Sequence, residues 1–200
     1  MNTRIFAFFG ALSLSMTFIA CKKDETPSLQ QQLDEGKSIT TLLESYPVDS
    51  FYAKGYAGGY IFHLESNGTG MVVGKSDLSA TAPWGCSSTN INEAEGSGIG
   101  DGESNTSSII TQCTDQNNAA DLCNSSSADG YSDWYLPSEG ELLQVYTKVH
   151  LKGVGGFANN YYWTSTQASA TTAQQVLFDT GNPNFSTKSN LHYVRGVRNF

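Results

Sequence analysis

The sequence predicts an α+β fold with small twisted antiparallel sheets, about two to three helices and long loops. Three observations support this prediction. A short apolar strand runs directly into a capped helix within 134–149, a hairpin surrounds an Asn-Gly turn at 65–68, and strand-like stretches follow one another beyond residue 160.

The strand and helix within 134–149 give the clearest local signal. Trp134 to Leu136 form an apolar strand that Pro137 ends, since proline supplies no N–H to a ladder. Ser138 then offers an N-cap, and Glu141 stands three residues on, which is the spacing of a capping box. One apolar helical face follows at Leu142, Val145, Tyr146 and Val149.

Two further elements are predicted before this helix. Residues 58–64 and 69–73 should pair as a hairpin, because the Asn-Gly of the turn between them tolerates positive φ. Ser38 to Glu44 can form a short helix that packs against the domain.

The glycine-rich stretch 96–102 superficially suggests a phosphate-binding loop. It lacks the Lys-Ser/Thr ending of a nucleotide-binding loop, so we interpret it as a tight turn. We expect it to deliver Ser104 as the N-cap of a helix that continues through Ile110, and a second helix from Asn117 to Asn124.

A longer pattern in the same region indicates a family. The spacing Gly-x-x-Asp-Trp-x-Leu-Pro-Ser-x-x-Glu-Leu from Gly130 to Leu142 resembles the domain at the C-terminus of collagen-like bacterial adhesins, a module common in bacterial surface lipoproteins. The resemblance covers about residues 55–200. Other stretches that agree with it lie at 58–62, 68–71, 84–86, 162–165 and 193–198.

This resemblance implies a fold and a class of function. The module is similar to the C-type-lectin-like fold, in which late strands form a small sheet and the connecting loops form the ligand surface. A binding protein is therefore expected rather than an enzyme.

The first residues are typical of a lipoprotein leader. Arg4 supplies a positive charge, 5–19 is largely apolar, and 18–21 resembles a lipobox in which Cys21 receives the lipid, although Phe18 departs from the usual leucine. An ordinary secretory signal is the alternative. The predicted organisation is a signal peptide at 1–21, a tether at 22–36, a helical extension at 37–54 and a lectin-like domain at 55–200.

The polar tether after Cys21 sets the predicted location. Acidic residues just after a lipid-bearing cysteine resemble the surface-export signal of some lipoproteins, so we expect an outer-membrane lipoprotein exposed on the cell surface and held to the membrane through Cys21. A solvated linker that faces the periplasm is the alternative.

The net charge argues against anionic partners. The chain has 11 basic and 19 acidic residues, a net charge of −8; loss of Arg4 with the leader makes this 10 − 19 = −9. Such a surface repels nucleic acid and acidic membrane surfaces.

Three cysteines follow Cys21, at positions 86, 113 and 123. They can form one disulfide among themselves, and we favour Cys113 with Cys123 because these two are close along the chain. Their spacing matches no Cys/His zinc pattern, so neither a metal nor another cofactor is predicted.

Late strands are predicted at 161–165, 173–178 and 191–197. Between them, Gln167 to Thr172 and Asn182 to Asn190 are polar loops that carry aromatic residues, the composition of adaptable recognition surfaces. Solvated loops without a ligand are the alternative. The predicted ligand-binding residues are Gln167, Ser169, Thr171, Thr172, Gln174, Asn182, Asn184, Phe185, Ser186, Thr187, Asn190 and His192.

The stretches 182–187 and 189–192 also fit a second hypothesis. Their residue types are all reachable from the codon AAC by changes at its two adenines, the product of a diversity-generating retroelement, whose targets are similar lectin-like domains. Lys188 does not fit this set. Trp163 and Arg195 would hold the scaffold of such a variable receptor.

Enzymatic chemistry finds little support in the sequence. No Gly-x-Ser-x-Gly, His-Glu-x-x-His or Cys-His motif occurs, and the carboxylates at 129–141 flank turns or cap a helix. The fold group resembles formylglycine-generating enzymes, but their reactive cysteines near the C-terminus have no counterpart here. Asp179 is the only acid in the late region, too few for calcium. We therefore expect a non-catalytic domain that binds an extracellular glycan or protein, with a structural surface protein as a further alternative.

Overall fold

The computed structural model describes residues 26–200. The predicted signal peptide at 1–21 and the lipid site at Cys21 lie outside the described residues. Within 26–200, none of the helices has both the length and the apolar character needed to cross a bilayer.

The described chain contains α-helices, short 3-10 helices and strands in the following order. The α-helices are α1 (Leu29–Asp34), α2 (Ile39–Leu43), α3 (Asp101–Gln112), α4 (Ala119–Asn124) and α5 (Glu139–Lys148). The 3-10 helices are Val48–Ser50, Ala128–Gly130 and His150–Lys152. The strands are β1 (Gly55–Tyr56), β2 (Gly59–Leu64), β3 (Gly70–Gly74), β4 (Ser79–Ala82), β5 (Tyr161–Gln167), β6 (Thr172–Leu177), β7 (Asn182–Thr187), β8 (His192–Val194) and β9 (Val197–Asn199).

Two small sheets organise the molecule. One has the strand order β1-β2-β3-β9 and the other β4-β8-β5-β6-β7. All pairs are antiparallel except β5 with β8, where Tyr162 lies opposite Tyr193. The α+β prediction is confirmed, although five α-helices occur where two to three were expected.

Three buried clusters fill the spaces between these layers. The first packs α3 and α4 against β5 and β6, with Trp84 and Trp163 among its members. The second packs α5 against both sheets. The third places α1 and α2 against β2 and β3. Each sheet is therefore covered on both faces over much of its area.

The capped helix behaves as its sequence predicts. Ser138 Oγ accepts from Glu141 N at 3.2 Å, and Glu141 Oε2 accepts from Ser138 N at 2.9 Å. The apolar strand before it is reduced to one bridge, Tyr135 with Val197. The predicted hairpin is present as β2 and β3, with a bulge between Ile61 and His63.

The start of α3 differs from the prediction. The helix begins at Asp101, after Gly100 in the left-handed region with φ 95°, so Ser104 lies inside the helix and is not its N-cap. Glu141 from the distant α5 does the capping instead: its Oε1 accepts from Gly100 N at 2.9 Å and from Gly102 N at 3.4 Å. The predicted helix at 117–124 is confirmed as α4, with Asn118 as its N-cap.

Part of the predicted tether is folded. Ser28 and Gln31 form a capping box at the start of α1, and Leu29 and Leu33 are buried in the third cluster. The polar side chains of 26–32 concealed this helix, since its apolar face has only these two leucines.

The disulfide prediction was wrong. Cys86 bonds to Cys113, with Cα atoms 5.5 Å apart, and Cys123 is a free, buried thiol. The α4 helix turns Cys123 into the first buried cluster, so its closeness to Cys113 along the chain does not bring their sulfurs together. Burial raises the pKa of the Cys123 thiol, which keeps it protonated.

Replacing Glu141 with alanine should lower the free energy of unfolding by about 2 to 4 kcal/mol, because backbone donors at the starts of two helices lose their acceptor. Urea unfolding of Glu141→Ala against the parent measures this change. Glu139→Ala, two residues earlier on the same helix, is the matched control and should cost less than about 1 kcal/mol. Equal losses in the two variants would contradict this role for Glu141.

The disulfide can be mapped directly. After alkylation of the denatured, unreduced protein and proteolysis, peptides that contain Cys86 and Cys113 should be joined and Cys123 should carry the alkyl group. Cys113→Ser should lower the stability by about 2 to 4 kcal/mol, since the bond closes a loop of moderate length. A linked peptide containing Cys113 and Cys123 would restore the original prediction.

Candidate functional site

The predicted binding residues do not form one loop surface. Residues 182–187 were expected in a loop and instead form β7, the edge strand of the five-stranded sheet. Successive side chains of a strand point to opposite faces, so Asn182, Asn184 and Ser186 share one face while Phe185 and Thr187 share the other. Four of its six residues are polar, and Pro183 is uncommon inside a strand, so the sequence of this segment did not indicate a strand.

The side chains of the neighbouring strand β6 are divided between the same two faces of the sheet. Gln174 lies opposite Phe185, and Gln175 lies opposite Asn184. Thr172 lies opposite Thr187. The predicted residues of β6 and β7 therefore belong to two different faces of the sheet.

Gln167 is not a surface residue, contrary to the prediction. Its side chain is 3% exposed, and its Oε1 accepts from Ile91 N at 2.8 Å and from Lys188 Nζ at 2.7 Å. Its Nε2 donates to Asn90 Oδ1 at 2.9 Å. Both the oxygen and the nitrogen of the Gln167 amide are hydrogen-bonded, and these bonds hold the loop at 84–91 against the sheet.

The other predicted residues vary in exposure. Ser186 is 7% exposed and was also wrongly expected at the surface. Three residues are half-buried, namely Thr172, Gln174 and His192. The exposed ones are Ser169, Thr171, Asn182, Asn184, Phe185, Thr187 and Asn190.

One group of predicted residues is joined by hydrogen bonds on the face that carries Asn184. Ser186 Oγ and His192 Nε2 are 2.9 Å apart, and Asn190 Nδ2 donates to Ser186 Oγ at 2.9 Å. We call these three residues, together with the cross-strand pair Gln175 and Asn184, the His192 cluster. Its members come from β6, β7, β8 and the turn between β7 and β8.

Aromatic rings hold the imidazole of this cluster in place. The ring of His192 lies 4.6 Å from Trp163 and 5.5 Å from Tyr161, measured between centroids. Trp163 is fixed in turn, since its Nε1 donates to Ala82 O at 2.9 Å. Burial lowers the pKa of His192, so its imidazole is uncharged at neutral pH.

Gln175 is the member that sequence reasoning missed. It lies between Trp163 on β5 and Asn184 on β7, and is 5% exposed. Its Oε1 is buried without a hydrogen-bond partner, the one such side-chain atom among the described residues. Buried polar atoms are nearly always paired, so this acceptor is unusual.

The free edge of β7 is protected against another strand. Pro183 has no N–H to offer, and the N–H of Phe185 donates to Asn184 Oδ1 at 2.8 Å. Proteins protect exposed edges by such means. A ligand at this edge is therefore expected to contact side chains rather than to extend the sheet.

Arg195 fixes the connection between the two sheets just after β8. Its Nε bonds Asp77 Oδ1 at 2.6 Å, and its Nη1 donates to Gly74 O and Gly155 O at 2.9 and 3.0 Å. The guanidinium also lies 4.1 Å from the ring centroid of Phe157. The expected scaffold role of Arg195 and Trp163 agrees with their burial in the structure.

A cleft of about 440 Å³ lies elsewhere, on the four-stranded sheet. None of the predicted binding residues lines it. Its walls include the His63 and Glu65 pair, whose Nε2 and Oε1 are 2.8 Å apart, together with the apolar Met71, Ile99 and Phe200.

One group of potential metal ligands occurs in the described residues: Cys86, Cys113 and Asp115. The disulfide joins both of its sulfurs, and Asp115 Oδ2 already accepts from Cys86 N at 2.7 Å. These donors are therefore committed to the fold in the oxidised protein.

A protein-family model matches this chain. The model of the Lcl C-terminal domain matches residues 77–198, more than half of the chain. The chain belongs to the Lcl C-terminal domain family. No curated protein matches it.

This family relation indicates a surface, adhesin-like domain. The matched span contains the whole His192 cluster. Most of the cleft lies outside that span, since His63, Glu65 and Met71 precede it and Phe200 follows it. We therefore expect a function common to the family to lie at the His192 cluster.

The lowered pKa of His192 can be measured by NMR titration of the imidazole. The unfolded chain binds a proton near pH 6.5 that the folded protein takes up only at lower pH. The free energy of unfolding should therefore fall as the pH drops below about 6.5, until the folded imidazole is protonated. A titration midpoint at or above 6.5 would contradict the burial of this ring.

Proposed function

We propose that this chain is a surface lipoprotein, anchored through Cys21, whose lectin-like domain binds an extracellular glycan without catalysing a reaction. The observation that carries the proposal is the His192 cluster. It carries the exposed amides of Asn184 and Asn190 and the half-buried imidazole of His192 beside aromatic rings, within the part of the chain that matches an adhesin-like family. Such a mixture of rigid aromatic and adaptable polar groups suits recognition.

A binding role also fits the chemistry of Ser186 and His192. Their 2.9 Å contact has the spacing of a nucleophile and its base. Ser186 is buried, however, and its oxygen also accepts from Asn190, so it is poorly placed to attack a substrate. The pair is better suited to hold the turn between β7 and β8 in position.

Variants from both faces of β7 test where the ligand lies. Asn184→Ala should weaken glycan binding about tenfold or more, because Asn184 is an exposed amide of the cluster. Phe185→Ala removes an exposed ring, 59% accessible, from the opposite face and should have a smaller effect. Leu151→Ala is the control, since that side chain is also exposed, at 62%, but belongs to the 3-10 helix at 150–152.

Glycan-array screening followed by calorimetry of the best ligand provides the measurement. Equal losses in all three variants, or none in Asn184→Ala, would place the ligand away from this face. An array without any bound glycan would reject the glycan hypothesis.

A variable protein receptor is the second candidate, and one observation favours it. Among the positions proposed to vary, Asn182, Asn184, Phe185 and Asn190 are exposed. Lys188, the residue that does not fit the codon set, is fully buried; its Nζ donates to Thr89 O at 2.8 Å and lies 4.3 Å from the ring centroid of Trp84. A structural residue would be expected to escape diversification.

The gene neighbourhood tests this second candidate. A near-duplicate template that differs at adenines, beside a reverse transcriptase, would support it, together with changes confined to 182–192 among sister strains. Absence of both template and enzyme would end it.

A further inference from the structure

We propose that the cleft on the four-stranded sheet binds a small organic cation, an amine on an aromatic or aliphatic body, at a site separate from the His192 cluster. The proposal is carried by an open part of one sheet face, by apolar walls, and by a carboxylate that no lysine or arginine of the cleft balances. It does not depend on the proposed glycan-binding function, because the cleft and the His192 cluster share no residue.

The cleft is the part of one sheet face that helix α5 leaves uncovered. Val73 on β3 and Val197 on β9 lie opposite each other and are fully buried in the cluster that packs against α5. The next pair on the same face is Met71 and Asn199, of which the first is half-buried and the second exposed. His63 on β2 lies opposite Met71. A row of side chains across three strands therefore forms one wall of the cleft.

Apolar side chains complete the walls. Ile99, from the turn before α3, and Phe200, which follows β9, line the cleft together with Met71. The Phe200 ring packs edge-to-face on Tyr56 at 5.0 Å between centroids. Gly70 makes room for that ring, since a Cβ there would lie 2.7 Å from Phe200 Cζ. A volume of about 440 Å³ with apolar walls can hold an aromatic ring or a branched alkyl group.

The polar groups of the cleft are held in fixed positions. His63 Nδ1 lies 3.2 Å from Gln144 Oε1 of α5, and its Nε2 lies 2.8 Å from Glu65 Oε1. Asn199 Nδ2 donates to Glu103 Oε2 at 3.0 Å. The hydrogen bonds of the described residues use only one carboxylate oxygen of Glu65, whose side chain is 59% exposed. The carboxylate of Glu65 is therefore available to a ligand in the cleft.

The charge at the cleft favours a cation. None of the described residues that line it is a lysine or an arginine, and Glu103 places a second carboxylate next to Asn199. Lys148 of α5 is directed to other groups, since its Nζ lies 3.7 Å from Asp49 Oδ1 and 4.4 Å from the ring centroid of Tyr52. A protonated amine would form a charge-assisted hydrogen bond with a carboxylate here, whereas an anionic ligand would be repelled.

Probes with the same ring and different charges test the inference on the full chain: phenethylamine, which is protonated at neutral pH, phenethyl alcohol and phenylacetate. The methionine methyl groups are labelled with carbon-13 for NMR. The methionines are Met1, Met16 and Met71, and Met71 lines the cleft, so Met71→Leu identifies its resonance. We expect the amine to shift the Met71 resonance to saturation and to bind about tenfold or more tightly than the alcohol. Phenylacetate should cause no saturable shift.

Glu65→Gln separates the charge from the hydrogen bond, because glutamine keeps an acceptor for His63. It should weaken amine binding about tenfold or more and change alcohol binding less than about twofold. Glu93→Gln is the matched control: it removes the same charge at an exposed position outside the cleft and should change amine binding less than about twofold. Ile99→Ala should weaken the amine and the alcohol alike, since it removes part of an apolar wall.

The contrary outcomes are distinct. Equal affinities for the amine and the alcohol, a saturable shift from phenylacetate, or equal losses in Glu65→Gln and Glu93→Gln would overturn the cationic ligand class. A Met71 resonance that no probe moves would overturn the site itself. Neither result would bear on glycan binding, which is tested separately through Asn184→Ala.

Discussion

One buried carboxylate, that of Glu141, joins the two longest helices of the domain. Its Oε2 accepts from Ser138 N at the start of α5, and its Oε1 accepts from Gly100 N and Gly102 N at the start of α3. Burial raises the pKa of Glu141, while these three backbone donors favour its ionised form. Gly102 is required there, because a Cβ would overlap Glu141 Oε2. With both helix starts fixed, α5 packs between the sheets and α3 packs against β5.

The position of the His192 cluster depends on how the chain passes from one sheet to the other. The predicted single strand at 191–197 is divided into β8 and β9, which belong to different sheets. Arg195 lies at this crossing and bonds Asp77, Gly74 and Gly155 from two other segments. A buried guanidinium needs such partners, and the partners fix β8 beside β5. His192 is thereby held over Trp163 and within reach of Ser186.

The candidate site shows why polar segments are hard to interpret from sequence. Residues 182–187 are mostly polar and contain a proline, yet they pair with β6 along their whole length. Strand formation there depends on the partner rather than on local propensity. The pairing also splits the predicted residues between two faces, and it places Gln175, which no motif marked, between Trp163 and Asn184.

By itself, the sequence determined the features whose cause is local. The capping box at Ser138 and Glu141, the hairpin turn and the α+β class depend on residues a few positions apart, and each was predicted. Contacts between distant segments were decided only by the tertiary structure. Cys86 bonds Cys113 because folding turns Cys123 into the core, and Gln167 is buried because Lys188 and Ile91 reach it from elsewhere in the chain. Local propensities do not show which distant groups come into contact, and the candidate binding face consists almost entirely of contacts between distant segments.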